Sequence, residues 1–152
     1  MIAVEISGET LTLTVDYFDQ LSERIYNSLV SAIIDVIREL KNLVVLGYLS
    51  GQVLKQVSGR LASSIAEDIE QTADAITGKV VQRYDLAPYG HVHEQGGSFI
   101  IPAHIRHLKN GREVAVSSYI MEVPRRSFME AALQELAERI KDRLVSAVRG
   151  AL

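Results

Sequence analysis

The chain has 152 residues, of which 47% are hydrophobic and 23% charged. This composition excludes a wholly disordered chain and describes one ordinary globular domain, long enough to bury a core unaided. Sixteen Lys and Arg against 19 Asp and Glu give a net charge of -3, the wrong sign for a nonspecific nucleic-acid binder, and the absence of cysteine excludes thiol catalysis, Cys-based zinc sites and disulfides.

The longest apolar run, Leu43 to Leu46, is too short to span a bilayer, so no transmembrane helix is expected. The segment Met1-Ile2-Ala3-Val4-Glu5 lacks the basic patch and apolar core of a signal peptide. Composition thus reads as soluble, single-domain and made in a cytoplasm.

Apolar residues first alternate in period two: Ile2, Val4 and Ile6, then Leu11, Leu13 and Val15. Ser7-Gly8-Glu9 lies between them, which predicts a β-hairpin with Gly8 at positive φ in its turn. The period changes after Asp16, the expected N-cap of a helix. Leu21, Ile25, Leu29, Ile33, Ile37, Leu40 and Val44 recur at helical steps, with Glu23, Arg24, Asp35, Arg38, Glu39 and Lys41 on the wet side. The predicted helix runs from about Phe18 to about Leu46, roughly 40 Å, and stops at Gly47. A domain of this size has a radius of gyration near ~15 Å, so this helix is the expected spine.

Residues 60–70 fit either helix or strand, because Leu61, Ile65 and Ile69 suit a helix. Ala73 to Arg83 reads as a strand. Asn110-Gly111, between Ile105–Leu108 and Val114–Val116, predicts a hairpin with a type I′ turn. Pro124 precedes a last amphipathic helix from Ser127 onward, marked by Phe128, Ala132, Leu133, Leu136, Ile140, Leu144 and Val148. The expected fold is α+β: an N-terminal hairpin, one long amphipathic helix, an antiparallel sheet with an extended hairpin, and a C-terminal helix. Residues 1–152 form one domain, with a protruding hairpin at about 98–123.

All four histidines lie between His91 and His107. Read as alternate strand residues, His91 and His93 share a face, and Glu94 adjoins them; imidazole is the commonest metal ligand. The spacing argues against a metal: H-E-x-x-H is absent, and Glu94 is the only carboxylate close by. A small metal-dependent hydrolase using His91, His93 and Glu94 is kept as an alternative function. No serine sits in a G-x-S-x-G elbow, and no glycine-rich phosphate loop occurs. Neither catalytic residues nor cofactors are expected, and the chain is read as not an enzyme.

Four stretches in order carry a family resemblance. Leu49-Ser50-Gly51-Gln52-Val53-Leu54 leads to Ser58-Gly59-Arg60-Leu61-Ala62-Ser63-Ser64-Ile65. Tyr89-Gly90-His91-Val92-His93-Glu94-Gln95-Gly96-Gly97 follows, then Val123-Pro124-Arg125-Arg126-Ser127-Phe128-Met129. Together they resemble the tail-completion (virion morphogenesis) proteins of long-tailed bacteriophages and Mu-like prophages. Three positions depart from the family pattern: Ser58 stands for Thr, Gly90 for Ala and Ser127 for Pro.

The resemblance implies a structural virion subunit that assembles in the host bacterial cytoplasm. It would form a ring, expected to be a hexamer, in the neck or at the tail end, touching connector and tail-tube proteins. Neither sequence-specific nucleic acid nor a membrane enters among its partners. A ring needs two different adhesive faces on each subunit. The candidates are Phe99, Ile100 and Ile101, the Val114 to Val123 strand with Tyr119, Ile120 and Met121, and the basic pair Arg125 and Arg126. Packing of these apolar residues on the domain's own core is the competing expectation, and a non-viral oligomeric binding module is the remaining alternative. The segment from Gly96 to Val123 is expected to be poorly ordered or protruding in a free subunit and ordered against a neighbour.

Overall fold

A computed structural model describes residues 2–7, 10–16, 23–51, 59–72 and 75–152. It shows the α+β architecture expected from the sequence. Strands β1 (Ile2–Ser7) and β2 (Thr10–Asp16) pair antiparallel, with Ile2 opposite Val15 and Ser7 opposite Thr10. Strands β3 (Ile65–Gln71) and β4 (Ala75–Gln82) complete a four-stranded antiparallel sheet in the order β1-β2-β4-β3. Residues 60–70 are thus resolved as one helical turn, α2 (Arg60–Ser63), followed by strand.

Helix α1 (Glu23–Asn42) lies on the sheet and buries Ile25, Leu29, Ala32, Ile33, Val36, Ile37 and Leu40. The expected N-cap is corrected, because Asp16 ends β2 instead of capping a helix. Strand pairing with Ala75 claims that residue; the expected first turn, from Phe18 to Ser22, lies outside the described residues, as do the Gly8 turn and Val53, Leu54 and Val57. The end differs too. The helix widens into a π turn over Leu43–Gly47, and a 3-10 turn follows over Tyr48–Ser50. Gly47 has an ordinary helical φ of -86°, so it weakens the helix without stopping it. The chain leaves at Gly51, whose φ of 131° suits glycine alone. Ser50 closes the end by donating its hydroxyl to the Gly47 carbonyl at 3.0 Å.

Helix α4 (Met129–Ala151) packs antiparallel to α1. Ser28 near one end of α1 donates to the Ala147 carbonyl, and Tyr48 beyond the other end donates to Glu135. The two helices and one face of the sheet enclose a single core. Along β4, Ile76, Gly78, Val80 and Gln82 are buried while the alternate residues are only half-buried, the period-two signature of a sheet covered on one face. Phe128, Ile33, Ile37, Ile76 and Met129 are the largest side chains fully enclosed.

Between sheet and α4 the chain forms α3 (Tyr89–Gln95) and a long hairpin. Strand β5 (Gly97–Ile101) pairs with β8 (Tyr119–Val123), and β6 (His104–His107) pairs with β7 (Glu113–Val116). The expected single strand from Val114 to Val123 is therefore two strands, interrupted at Ser117-Ser118 opposite Pro102-Ala103. Pro102 has no N–H for the ladder, so the break falls where pairing would be incomplete. The turn also differs from type I′. No residue but glycine has positive φ among the described residues, so Asn110 stays at negative φ while Gly111 takes 78°. Gly111 N–H donates to Leu108 and Leu108 N–H to Arg112, giving a three-residue loop that ends in a glycine bulge.

Candidate functional site

The third and fourth motif stretches meet at the root of the hairpin. Helix α3 opens after Pro88, whose φ of -60° is already helical, and ends at Gly96. His91 and His93 are consequently helical and not strand residues. Two steps along a helix turn the side chain by about 200°, so His91 and His93 do not share a face as alternate strand positions would. This removes the geometric basis on which they were grouped. Among the described residues no set of three His, Cys, Asp or Glu is arranged to hold a metal ion.

Glu94 is buried and has another task. Its Oε1 accepts the Ser127 hydroxyl at 2.7 Å and the Glu130 N–H at 3.1 Å. Its Oε2 accepts the N–H of Phe128 at 2.8 Å and of Met129 at 3.1 Å. The carboxylate thus satisfies three backbone donors at the start of α4 that have no partner within the helix. It also places negative charge at the positive end of a 23-residue helix dipole. Burying a carboxylate is costly unless it is fully hydrogen-bonded, and this one has two donors on each oxygen.

The exchange runs in both directions. The last carbonyls of α3 are received by the segment leading into α4: Arg126 N–H donates to His93 O at 2.8 Å, and Arg125 Nε–H to Glu94 O at 3.2 Å. Arg125 also pairs with Glu130. A Cβ at position 96 would lie 2.6 Å from Arg125 N and 2.9 Å from Arg125 Cα, against backbone that cannot step aside. With φ at 69°, Gly96 is the residue this crossing demands. Phe128 then drops into the core at 1% exposure.

His93 stands at the edge of this clasp, edge-on to the Tyr89 ring at 6.2 Å between centroids. Partial burial, and then the nearby Arg126 charge, hold its pKa below the ordinary histidine value. Its Nδ1 is buried without a hydrogen-bond partner. Gln82 is a participant that sequence reading missed. Its buried amide donates to Ala87 O at 2.8 Å, to Arg83 O at 3.1 Å and to Ser64 Oγ at 3.3 Å, tying the second motif stretch to the approach to α3. A Cβ at Gly90 would lie 2.7 Å from Leu61 Cδ1 and 2.8 Å from Gln82 Cδ, so the bare glycine backbone lets these side chains close in.

From the clasp the hairpin runs outward. Among the described residues, none of 97–123 belongs to the buried core or packs on it as a partly buried apolar residue. Ile100 and Ile120 sit directly opposite each other at 78% and 66% exposure. The neighbouring pairs, Phe99 with Met121 and Ile101 with Tyr119, occupy the other face. Phe99 and Ile101 are half-buried, while Tyr119 and Met121 are exposed. Further out, Ile105 and Val114 are exposed as well. Of the two basic residues, Arg125 is committed to Glu94 and Glu130, and the Arg126 side chain is exposed.

Among the described residues no helix is long and apolar enough to cross a membrane. Comparison of the chain with family models, curated proteins and solved structures finds no match.

Proposed function

We propose that the chain is a non-enzymatic, ring-forming virion subunit of a tailed phage or prophage, acting in tail completion at the junction of tail and head connector. The observation that supports this reading is the hairpin: apolar side chains on both of its faces stand in solvent, on an arm anchored at its root by hydrogen bonds to two helices. Open strand edges bearing apolar residues are a hazard for a monomer and an asset for an assembling subunit. The order of the four motif stretches supplies the phage context. The clasp gives two of those stretches a mechanical reason, because Glu94, Gly96 and Ser127 fix the arm's root against α4.

The hydrolase alternative draws less support, since the Glu94 oxygens that it would use already receive four donors. Native mass spectrometry of the purified chain, with metal analysis of the same sample, tests the choice. A closed oligomer without stoichiometric metal is expected. A monomer carrying zinc or iron through dialysis would overturn the structural role. In a phage-producing host, particles lacking the protein should accumulate as tailless heads beside finished tails.

A further inference from the structure

The outer end of the arm is basic. Residues 104–116 hold Arg106, Lys109 and Arg112 against Glu113, a net of +2 in a chain of net -3, which leaves -5 on all other residues. All three cations are exposed, and Glu113 is paired across the strands with His107 at 3.0 Å. The opposite charge is concentrated on β3, an edge strand of the four-stranded sheet, in the sequence Ile65-Ala66-Glu67-Asp68-Ile69-Glu70-Gln71. Its three carboxylate residues are exposed. Lys41 lies 3.8 Å from Glu67 and Lys79 lies 3.4 Å from Glu70, in exposed pairs of the kind that contribute little. Three carboxylates on one strand discourage indiscriminate pairing along that edge. They also select a basic strand over other partners.

We propose that the basic end of the arm of one copy docks on the acidic edge strand β3 of a second copy. This rests on the ring reading above and names its adhesive faces. Strand and arm are different surfaces of the same chain, so the contact is head-to-tail and each subunit gives one arm and receives one. The eleven residues from Gly97 to His107 reach about 35 Å when extended, more than twice the radius of gyration expected for such a domain. The arm thus has the length to cross to a neighbour. Apolar residues flanking its cations, Ile105 and Val114, would be covered in the contact.

The test uses two exposed charge reversals in the full chain, Arg106→Glu with Arg112→Glu on the arm and Asp68→Arg with Glu70→Arg on the edge. Each variant alone brings like charges together and should raise the self-association constant for dissociation by roughly tenfold or more. Mixed in equal amounts, the two should assemble again, because every reversed arm then finds a reversed edge and every native arm a native edge. Native mass spectrometry reads the outcome, with thermal melts to verify folding. If the edge variant melts early, the arm variant decides alone, since Arg106 and Arg112 are both exposed. Wild-type assembly by the arm variant would overturn the docking assignment and leave the ring reading standing. Failure of two folded variants to recover on mixing would overturn it equally. A wild-type chain that stays monomeric would remove the ring reading itself.

Discussion

The backbone N–H of Phe128 is held at 2.8 Å by the carboxylate of Glu94, a residue 34 positions earlier in the chain. Helix α4 is therefore capped by a tertiary contact and not by its own first residues, with the whole hairpin spliced between cap and helix. Glu94→Gln should test this. The amide keeps the shape but removes the charge and replaces one acceptor with a donor aimed at other donors. A stability loss of about 1–3 kcal/mol is expected, read by urea unfolding, with the secondary structure unchanged. A neutral result would mean that water replaces the carboxylate at no cost.

Phe128 should be the most sensitive core position near this junction. Phe→Ala at a buried site costs about 3–5 kcal/mol, which in a domain of this size is roughly 6–20 °C in melting temperature. Differential scanning calorimetry on the purified chain measures it. An unchanged melt would show that the residue is not the enclosed anchor that its 1% exposure indicates.

Gly96 and Gly111 separate two reasons for a glycine. Both have positive φ, at 69° and 78°. A Cβ at 111 meets nothing within 4 Å, whereas one at 96 meets the Arg125 backbone. Gly111→Ala should therefore show only the left-handed penalty, about 1–2 kcal/mol, and Gly96→Ala distinctly more. Equal losses by equilibrium unfolding would show that the crossing at Gly96 relaxes freely.

His93 sets a pH dependence. Its pKa is depressed by burial and then by Arg126, so the unfolded chain takes up a proton at higher pH than the folded one. Its contribution is fully present above the unfolded value near 6.5 and is lost as pH falls through the depressed folded value. Stability measured by denaturant titration should drop as pH is lowered below about 6.5, and His93→Asn should flatten that drop. An identical slope in the variant would assign the dependence to other groups.

Much of the fold was legible because α1 and α4 repeat apolar residues over many turns: Ile25, Leu29, Ile33, Ile37, Leu40 and Val44, with Phe128, Ala132, Leu133, Leu136, Ile140 and Leu144, follow from period and are buried, whereas the buried Ala32, Val36 and Met129 were not singled out. Local signals failed where tertiary contacts compete with them. Asp16 has the chemistry of an N-cap, but the β4 ladder takes it first. Asn110-Gly111 favours a type I′ turn, but Leu108 pairing with Arg112 leaves three residues for the loop. At the clasp, Ser127 and Glu130 have the spacing of a local capping box. The structure sends Ser127 to Glu94 and Glu130 to Arg125 instead. The isolated acidic residue beside two histidines invited a metal reading; its long-range hydrogen bonds leave no periodic trace in the chain. Gln82 was invisible for the same reason.

The separation of the arm from the core has an evolutionary corollary. On the reading proposed above, residues 97–123 bear on association, while α1, α4 and the sheet bear on folding, and among the described residues none of 97–123 belongs to the apolar core. Substitutions at exposed arm positions such as Ile100, Arg106 and Ile120 should accordingly change association with little effect on the melting point, unlike Gly111, whose positive φ ties it to the stability of the turn. On that proposal, a changed partner could be accommodated one exposed arm residue at a time, with the folded body left as it is.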